Sequence, residues 1–165
     1  MIRIGLMSDT HGFIDPKIYE YFKDVDEIWH AGDIGDMQVI DDLQKFKPLI
    51  AVHGNIDGAE IRTEIPEYQE FHREGMKVLM THIAGRPGRY VRSAHDRIKE
   101  QSPDIFVCGH SHILVVKFDK DLKTLWLNPG ACGYKGFHQV KTLLRFCITD
   151  GKAHDMEVIE LGNRV

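Results

Sequence analysis

Little in this chain of 165 residues points to a disulfide scaffold, a membrane or a polyanionic partner. Cysteine is scarce. Cys108, Cys132 and Cys147 are odd in number and form no C-x-x-C pair, which argues against a disulfide framework and against a structural zinc site. Cys108 lies in an apolar run and reads as a small core residue. No apolar run approaches the roughly 20 residues that cross a bilayer, and "MIRIGLMSDTHG" lacks the apolar stretch of a signal peptide. A formal charge of −4 supplies no global basic field to recruit nucleic acid or an anionic membrane. Linkers, repeats and low-complexity segments are missing too. The expectation is one domain over residues 1–165, in a reducing cytoplasm.

What the chain does have is histidine, ten in all, and a regular alternation of short apolar runs with polar breaks. "IRIGLMS" reads as a strand. "DPKIYEYFKD" reads as a helix with Asp15 as N-cap and Pro16 at its first position. "EIWHAGD" is a second strand, and "MQVIDDLQKF" a helix with Val39, Ile40, Leu43 and Phe46 at helical spacing. "LIAVHGN" is a third strand. This β-α-β-α-β order implies right-handed crossovers and a parallel core. "EYQEFHREGMKVLMTH" then reads as a hairpin turning at Glu74-Gly75, "RYVRSAHDRIKEQ" as a helix and "DIFVCGH" as a strand. Further strands follow through "AHDMEVIEL". One sheet does not comfortably hold them all, so the expected fold is α/β: a four-layer α/β/β/α sandwich of two mixed sheets flanked by helices.

Residues of ligand type gather at the strand ends. The first strand ends in Asp9 and His11, the second in Asp33, the third in Asn55, the hairpin in His82, and "VCGHSHI" in His110 and His112. Strand ends on one edge of a parallel sheet converge, which is where open α/β sheets collect ligands. Singly, Gly-Asp and Gly-Asn are ordinary turns, and a lone His82 is an ordinary core residue. As an ordered set they are not. Two carboxylates, four imidazoles and a carboxamide exceed one four-coordinate zinc and suit two borderline cations sharing a carboxylate.

The ordered motifs D-x-H, GD-x-x-D, GN, a single His after a strand, and GH-x-H resemble the calcineurin-like metallophosphoesterase superfamily. The short chain, "GNID" and "NPGA" (Asn128 to Ala131) are similar to its small bacterial and archaeal phosphodiesterase branch, itself similar to the retromer subunit Vps29. The resemblance implies the four-layer sandwich and two divalent metal ions, manganese first, with nickel, zinc, iron or magnesium as alternatives. Carried over by position, it implies that Asp9, His11 and His112 hold one metal and Asn55, His82 and His110 the other. Asp33 would bridge them, and Asn55 and His110 would also act on the phosphoryl group. Asp36 and Asp57 are expected behind the ligands, Asp36 orienting its loop or a histidine N–H. His30, His72, His95, His138 and His154 match no ligand position and are expected to be structural or solvated. His53, two residues before Asn55, is expected near the substrate.

Phosphoesters repel nucleophiles with their own charge. Two cations about 3.5–4 Å apart bind the phosphoryl oxygens and hold a water as hydroxide near neutral pH. The expected reaction is in-line hydrolysis of a small phosphoester, a phosphodiester above all. Two departures from the family pattern bear on the substrate. Where many relatives read GNHE, with a histidine implied to protonate the leaving oxygen, this chain has Ile56, and Asp57 follows. Either His53 or a metal-bound water does that job, or good leaving groups are preferred. "THIAGRPGRY" stands where many relatives read THGH; its Arg86 and Arg89 are either solvated or clamp a phosphate bidentately. The competing class is a Vps29-like protein-binding scaffold, in which ligand positions are partly replaced; here all seven carry ligand-competent side chains. A binuclear amide or lactam hydrolase would need H-x-H-x-D-H or an H-x-H on the first strand, and neither is present. A nuclease finds no support in a basic stripe, and a homo-oligomer is left open.

Overall fold

The computed structural model describes residues 1–165. Strands β1 (Ile2–Met7), β2 (Glu27–His30) and β3 (Leu49–Ala51) run parallel and are joined by α1 (Lys17–Tyr21) and α2 (Met37–Phe46). Asp15 accepts a hydrogen bond from the Lys17 N–H at 3.0 Å, and Pro16 already has helical dihedrals, which its fixed φ suits. A short helix that the sequence reading does not anticipate, α3 (Ala59–Glu64), leads to the hairpin of β4 (Tyr68–Arg73) and β5 (Met76–Thr81). A second unanticipated element follows, the small hairpin of β6 (Gly85–Arg86) and β7 (Arg89–Tyr90). The chain then forms α4 (Arg92–Gln101), β8 (Ile105–Val107), β9 (Leu114–Asp119), β10 (Thr124–Pro129), β11 (Val140–Thr149) and β12 (Lys152–Asn163). Two mixed five-stranded sheets result, in the orders β12-β11-β1-β2-β3 and β4-β5-β8-β10-β9. The expected sandwich is what forms. No helix is long and apolar enough to cross a membrane.

Alternation along the strands sorts the core into three apolar layers. Ile4 and Leu6 of β1, Val78 and Met80 of β5, Ile105 and Val107 of β8, and Leu144 and Phe146 of β11 fill the space between the sheets with Trp29. Their alternates face the helices. Ile28 and Leu143 pack with Ile18, Ile40 and Leu43 of α1 and α2, while Leu79, Phe106 and Trp126 pack with Ala94 and Ile98 of α4. Burying each such side chain contributes about 1.5–3 kcal/mol. A one-residue slip would exchange the faces of a whole strand, so the register is firmly set. That register decides which loops meet beyond the strand ends.

Candidate metal centre

Backbone hydrogen bonds stitch the loops after the parallel strands to one another. Asp9 and His11 donate their N–H groups to the carbonyls of Gly32 and Asp33, at 2.9 and 3.0 Å, and Gly109 donates to the His82 carbonyl at 3.0 Å. Asp9, His11, Asp33, His110 and His112 all have φ between 48° and 70°. That left-handed conformation is costly for residues with a Cβ, at roughly 1–2 kcal/mol each. Such strain persists only where the surrounding structure holds it, as the hydrogen bonds between these loops do here. Two motif glycines are explained by closeness. A Cβ on Gly54 would lie 2.1 Å from Asp33 Oδ1, and one on Gly109 would lie 2.2 Å from Ser8 Oγ and 2.9 Å from Asp9 Oδ2.

The donors fall into two groups. Asp9, His11 and His112 form one and Asp33, His82 and His110 the other, with the donor atoms of each group within 4.8 Å of one another. Asp33 faces both: its Oδ2 lies 3.5 Å from His11 Nε2 and its Oδ1 3.2 Å from His82 Nε2. Asp9 is fully buried. Its Oδ2 accepts from the Ser8 hydroxyl and the His110 N–H, leaving Oδ1 toward His112 Nε2 at 3.1 Å and His11 Nε2 at 3.8 Å. Burial pushes the Asp9 carboxyl up, but His11, His112, His82 and Ser8 outweigh it and hold it well below the usual carboxylate range. For Asp33, too, burial is outweighed, by His82 and the Ile56 N–H, and the net shift is down. Burial, and then His82 beside it, lowers His110.

The histidines give a direct test of whether a cation fits. His82 Nδ1 lies 2.7 Å from the Ala31 carbonyl, which can only accept, so Nδ1 carries a proton and, in the neutral ring, Nε2 is a lone pair. His82 Nε2 and His11 Nε2 are both buried with no hydrogen-bond partner, and both face carboxylate oxygens. A lone pair opposite a carboxylate is repulsive unless positive charge lies between them. Burial opposes a proton on His82, yet Asp33 and Asp9 outweigh burial and raise its affinity for one. A divalent cation meets the same demand, and imidazole with carboxylate is a donor set for borderline metals. The residues fit.

With this geometry in place, likeness to known proteins becomes decisive. The calcineurin-like phosphoesterase superfamily domain matches residues 2–151. The chain belongs to that superfamily. A probable metallophosphoesterase of Methanocaldococcus jannaschii is 33% identical over 140 residues, spanning 78% of this chain and 67% of the relative. Among solved structures, an archaeal phosphodiesterase superposes with a TM-score of 0.73 at 26% identity, over 96% of this phosphoesterase domain and 100% of that chain. Vps29 of Chaetomium thermophilum superposes with a TM-score of 0.75 at 16% identity, over 98% and 97% of the two chains; this likeness shows the fold alone.

Around the candidate site, the two expected supporting residues act on different neighbours. Asp57 is buried behind it, and its carboxylate accepts from the N–H groups of Ile34, Gly35 and Gly54, tying the Asp33 loop to the Asn55 loop. Of the two tasks expected for Asp36, it takes the one on its own loop. It is the exposed N-cap of α2, accepting from the Gln38 N–H at 2.8 Å, and it bonds no histidine. Arg86 and Arg89 sit exposed on the β6–β7 hairpin and line neither cavity beside the donor groups. The arginine that does is Arg62, on α3. It lines a cavity of about 310 Å³ with His53, Asn55, Glu67 and Tyr68. A second cavity of about 450 Å³ opens over His11, Asp33 and His112 and is walled by Ile56, Ile113 and Phe137. Asn55 borders both. Asn128 of "NPGA" supports the His110 loop, donating to the Gly109 carbonyl and Ser111 Oγ while accepting from the Gly130 N–H.

Proposed function

We propose that this protein is a metal-dependent phosphodiesterase acting on a small substrate by in-line attack on phosphorus. The observation that carries the reading is Asp33, whose two oxygens face two separate donor groups containing buried, unpartnered imidazole nitrogens. Asp9, His11 and His112 would hold one metal, Asn55, His82 and His110 the other, with Asp33 shared. When bound, the two cations, manganese ahead of nickel, zinc, iron or magnesium, supply the charge that neutralises a phosphoryl group and a nucleophilic water near neutral pH. The archaeal phosphodiesterase with the same fold supports the choice of a diester. All three cysteines are free thiols, which fits a reducing cytoplasm.

Residues around the donors suit a phosphoryl group. Asn55 is exposed where the two cavities meet, so its NH₂ is free to donate to a phosphoryl oxygen. Arg62 bonds the carbonyls of Asp57, Gly54 and Asn55 and no carboxylate, leaving its charge for an anion in the cavity it shares with Asn55. Ile56 donates its N–H to Asp33 Oδ1, but its side chain cannot protonate a leaving oxygen. Without help from a general acid, worth about 10²–10⁴-fold, cleavage should slow steeply as the leaving group becomes more basic. Aryl phosphodiesters should therefore be cleaved far faster than alkyl ones. The Ile56→His variant should help alkyl esters most. Plotting kcat/KM against leaving-group pKa for both proteins tests this: a shallow wild-type slope would reveal another acid, with His53 the first suspect. Failure to hydrolyse any phosphodiester with any of the five metals would sink the reading. A protein-binding scaffold like Vps29 remains the alternative that such a failure would favour.

A further inference from the structure

His138 matches no ligand motif, yet it is hydrogen-bonded to His112. Its Nε2 lies 2.7 Å from the Gly133 carbonyl, and its Nδ1 lies 3.1 Å from His112 Nδ1. A carbonyl can only accept, so His138 Nε2 carries the proton and its Nδ1, in the neutral ring, is an acceptor. His112 Nδ1 must then donate, which strips the proton from His112 Nε2. That nitrogen is the one 3.1 Å from Asp9 Oδ1. We propose that His138 is a positioning residue: it relays the polarity of the Gly133 carbonyl through two rings and presents His112 to the Asp9–His11–His112 group as a ligand lone pair. The proposal rests on the phosphodiesterase reading only in taking His112 for a ligand.

Without the relay, Asp9 would select the opposite tautomer, with His112 Nε2–H donated to its carboxylate and no lone pair left there for a metal. The loop carrying His138 is built for closeness. Gly136 has φ +130°, and a Cβ on it would lie 2.2 Å from His112 Nδ1 and 3.1 Å from His138 Nδ1. Arg164 holds the loop from outside, donating to the carbonyls of His138 and Tyr134 at 2.7 and 3.2 Å. His82 obtains the same tautomer from the Ala31 carbonyl directly. One histidine is therefore oriented by backbone, and the other through a side chain that mutation can reach.

The test uses His138→Gln, His138→Leu and His138→Lys, with Mn²⁺ alone titrated into metal-stripped protein. Glutamine can accept from His112 and donate to Gly133, so it should keep manganese affinity close to wild type. Leucine removes both bonds and should weaken one of the two sites by about 10–100-fold. Lysine offers only donors to the His112 N–H and should do at least as much harm. Independently of any variant, ¹⁵N NMR of the metal-free wild type at mildly alkaline pH should show the proton on Nδ1 of His112 and on Nε2 of His138. A proton on His112 Nε2, or wild-type manganese affinity in both the leucine and lysine variants, would overturn the proposal. Correct tautomers in a wild-type protein that binds none of manganese, nickel, zinc, iron and magnesium would remove the phosphodiesterase reading and leave the hydrogen-bond relay standing.

Discussion

His30 is fully buried at the end of β2 and spends both ring nitrogens. Nδ1 accepts from the Gly32 N–H at 3.1 Å, so Nε2 donates to Thr10 Oγ1 at 3.0 Å, and Thr10 passes its own proton to the Ile34 carbonyl. This chain ties the loop after β1 to the loop after β2 and works only with a neutral ring. Burial, the largest influence, accordingly lowers the His30 pKa from 6.5 to about 4. Between those values the unfolded chain binds a proton that the folded one refuses, so stability falls as pH drops from 6.5 towards 4. The loss attributable to this group is on the order of 3 kcal/mol. Urea midpoints of metal-stripped protein across that window should fall more steeply for wild type than for His30→Gln; equal slopes would deny His30 this role. As a sequence, "EIWHAGD" reveals the strand and the acid but not this work. A structural histidine and a ligand histidine look alike until their partners are known. The same blindness hid His138, which lies 26 residues from His112 with no motif linking them.

At the scale of elements, strand ends carry residues of ligand type and the glycines before them make room, which is why the ordered motifs were readable. Helix α3 was not. "AEIRTE" is six residues with one buried side chain, Ile61, too short to show a helical period. A helix with no visible period leaves Arg62 unmarked in the sequence, whereas Arg86 and Arg89 directly follow a motif. Kinetics should separate them. Arg62→Ala should raise KM for a phosphodiester by about tenfold or more, as loss of a charge-assisted contact does, with a smaller effect on kcat. Arg62→Lys should recover part of it, and added salt should raise the wild-type KM. Arg86→Ala and Arg89→Ala should leave both constants unchanged. A KM increase confined to the hairpin variants would reverse the assignment.

For the whole molecule, three apolar layers hold two sheets so that loops from both meet at one site. The layer architecture was legible because the central strands are short apolar runs, buried on both faces, and the strands outnumber what one sheet holds. Their order was less so, since non-neighbouring strands such as β1 and β11 pair across most of the chain. Joining the sheets brings His82 and His110, which follow strands of one sheet, against Asp9 and Asp33, which follow strands of the other. We propose that this junction holds two metal ions through Asp33. Metal content per chain in purified wild type, Asp33→Asn, His82→Ala and His112→Ala tests it most directly. The account predicts two manganese ions in wild type, a loss at both sites in Asp33→Asn, and a loss of one site in each histidine variant. An Asp33→Asn protein that keeps its full metal complement would contradict it.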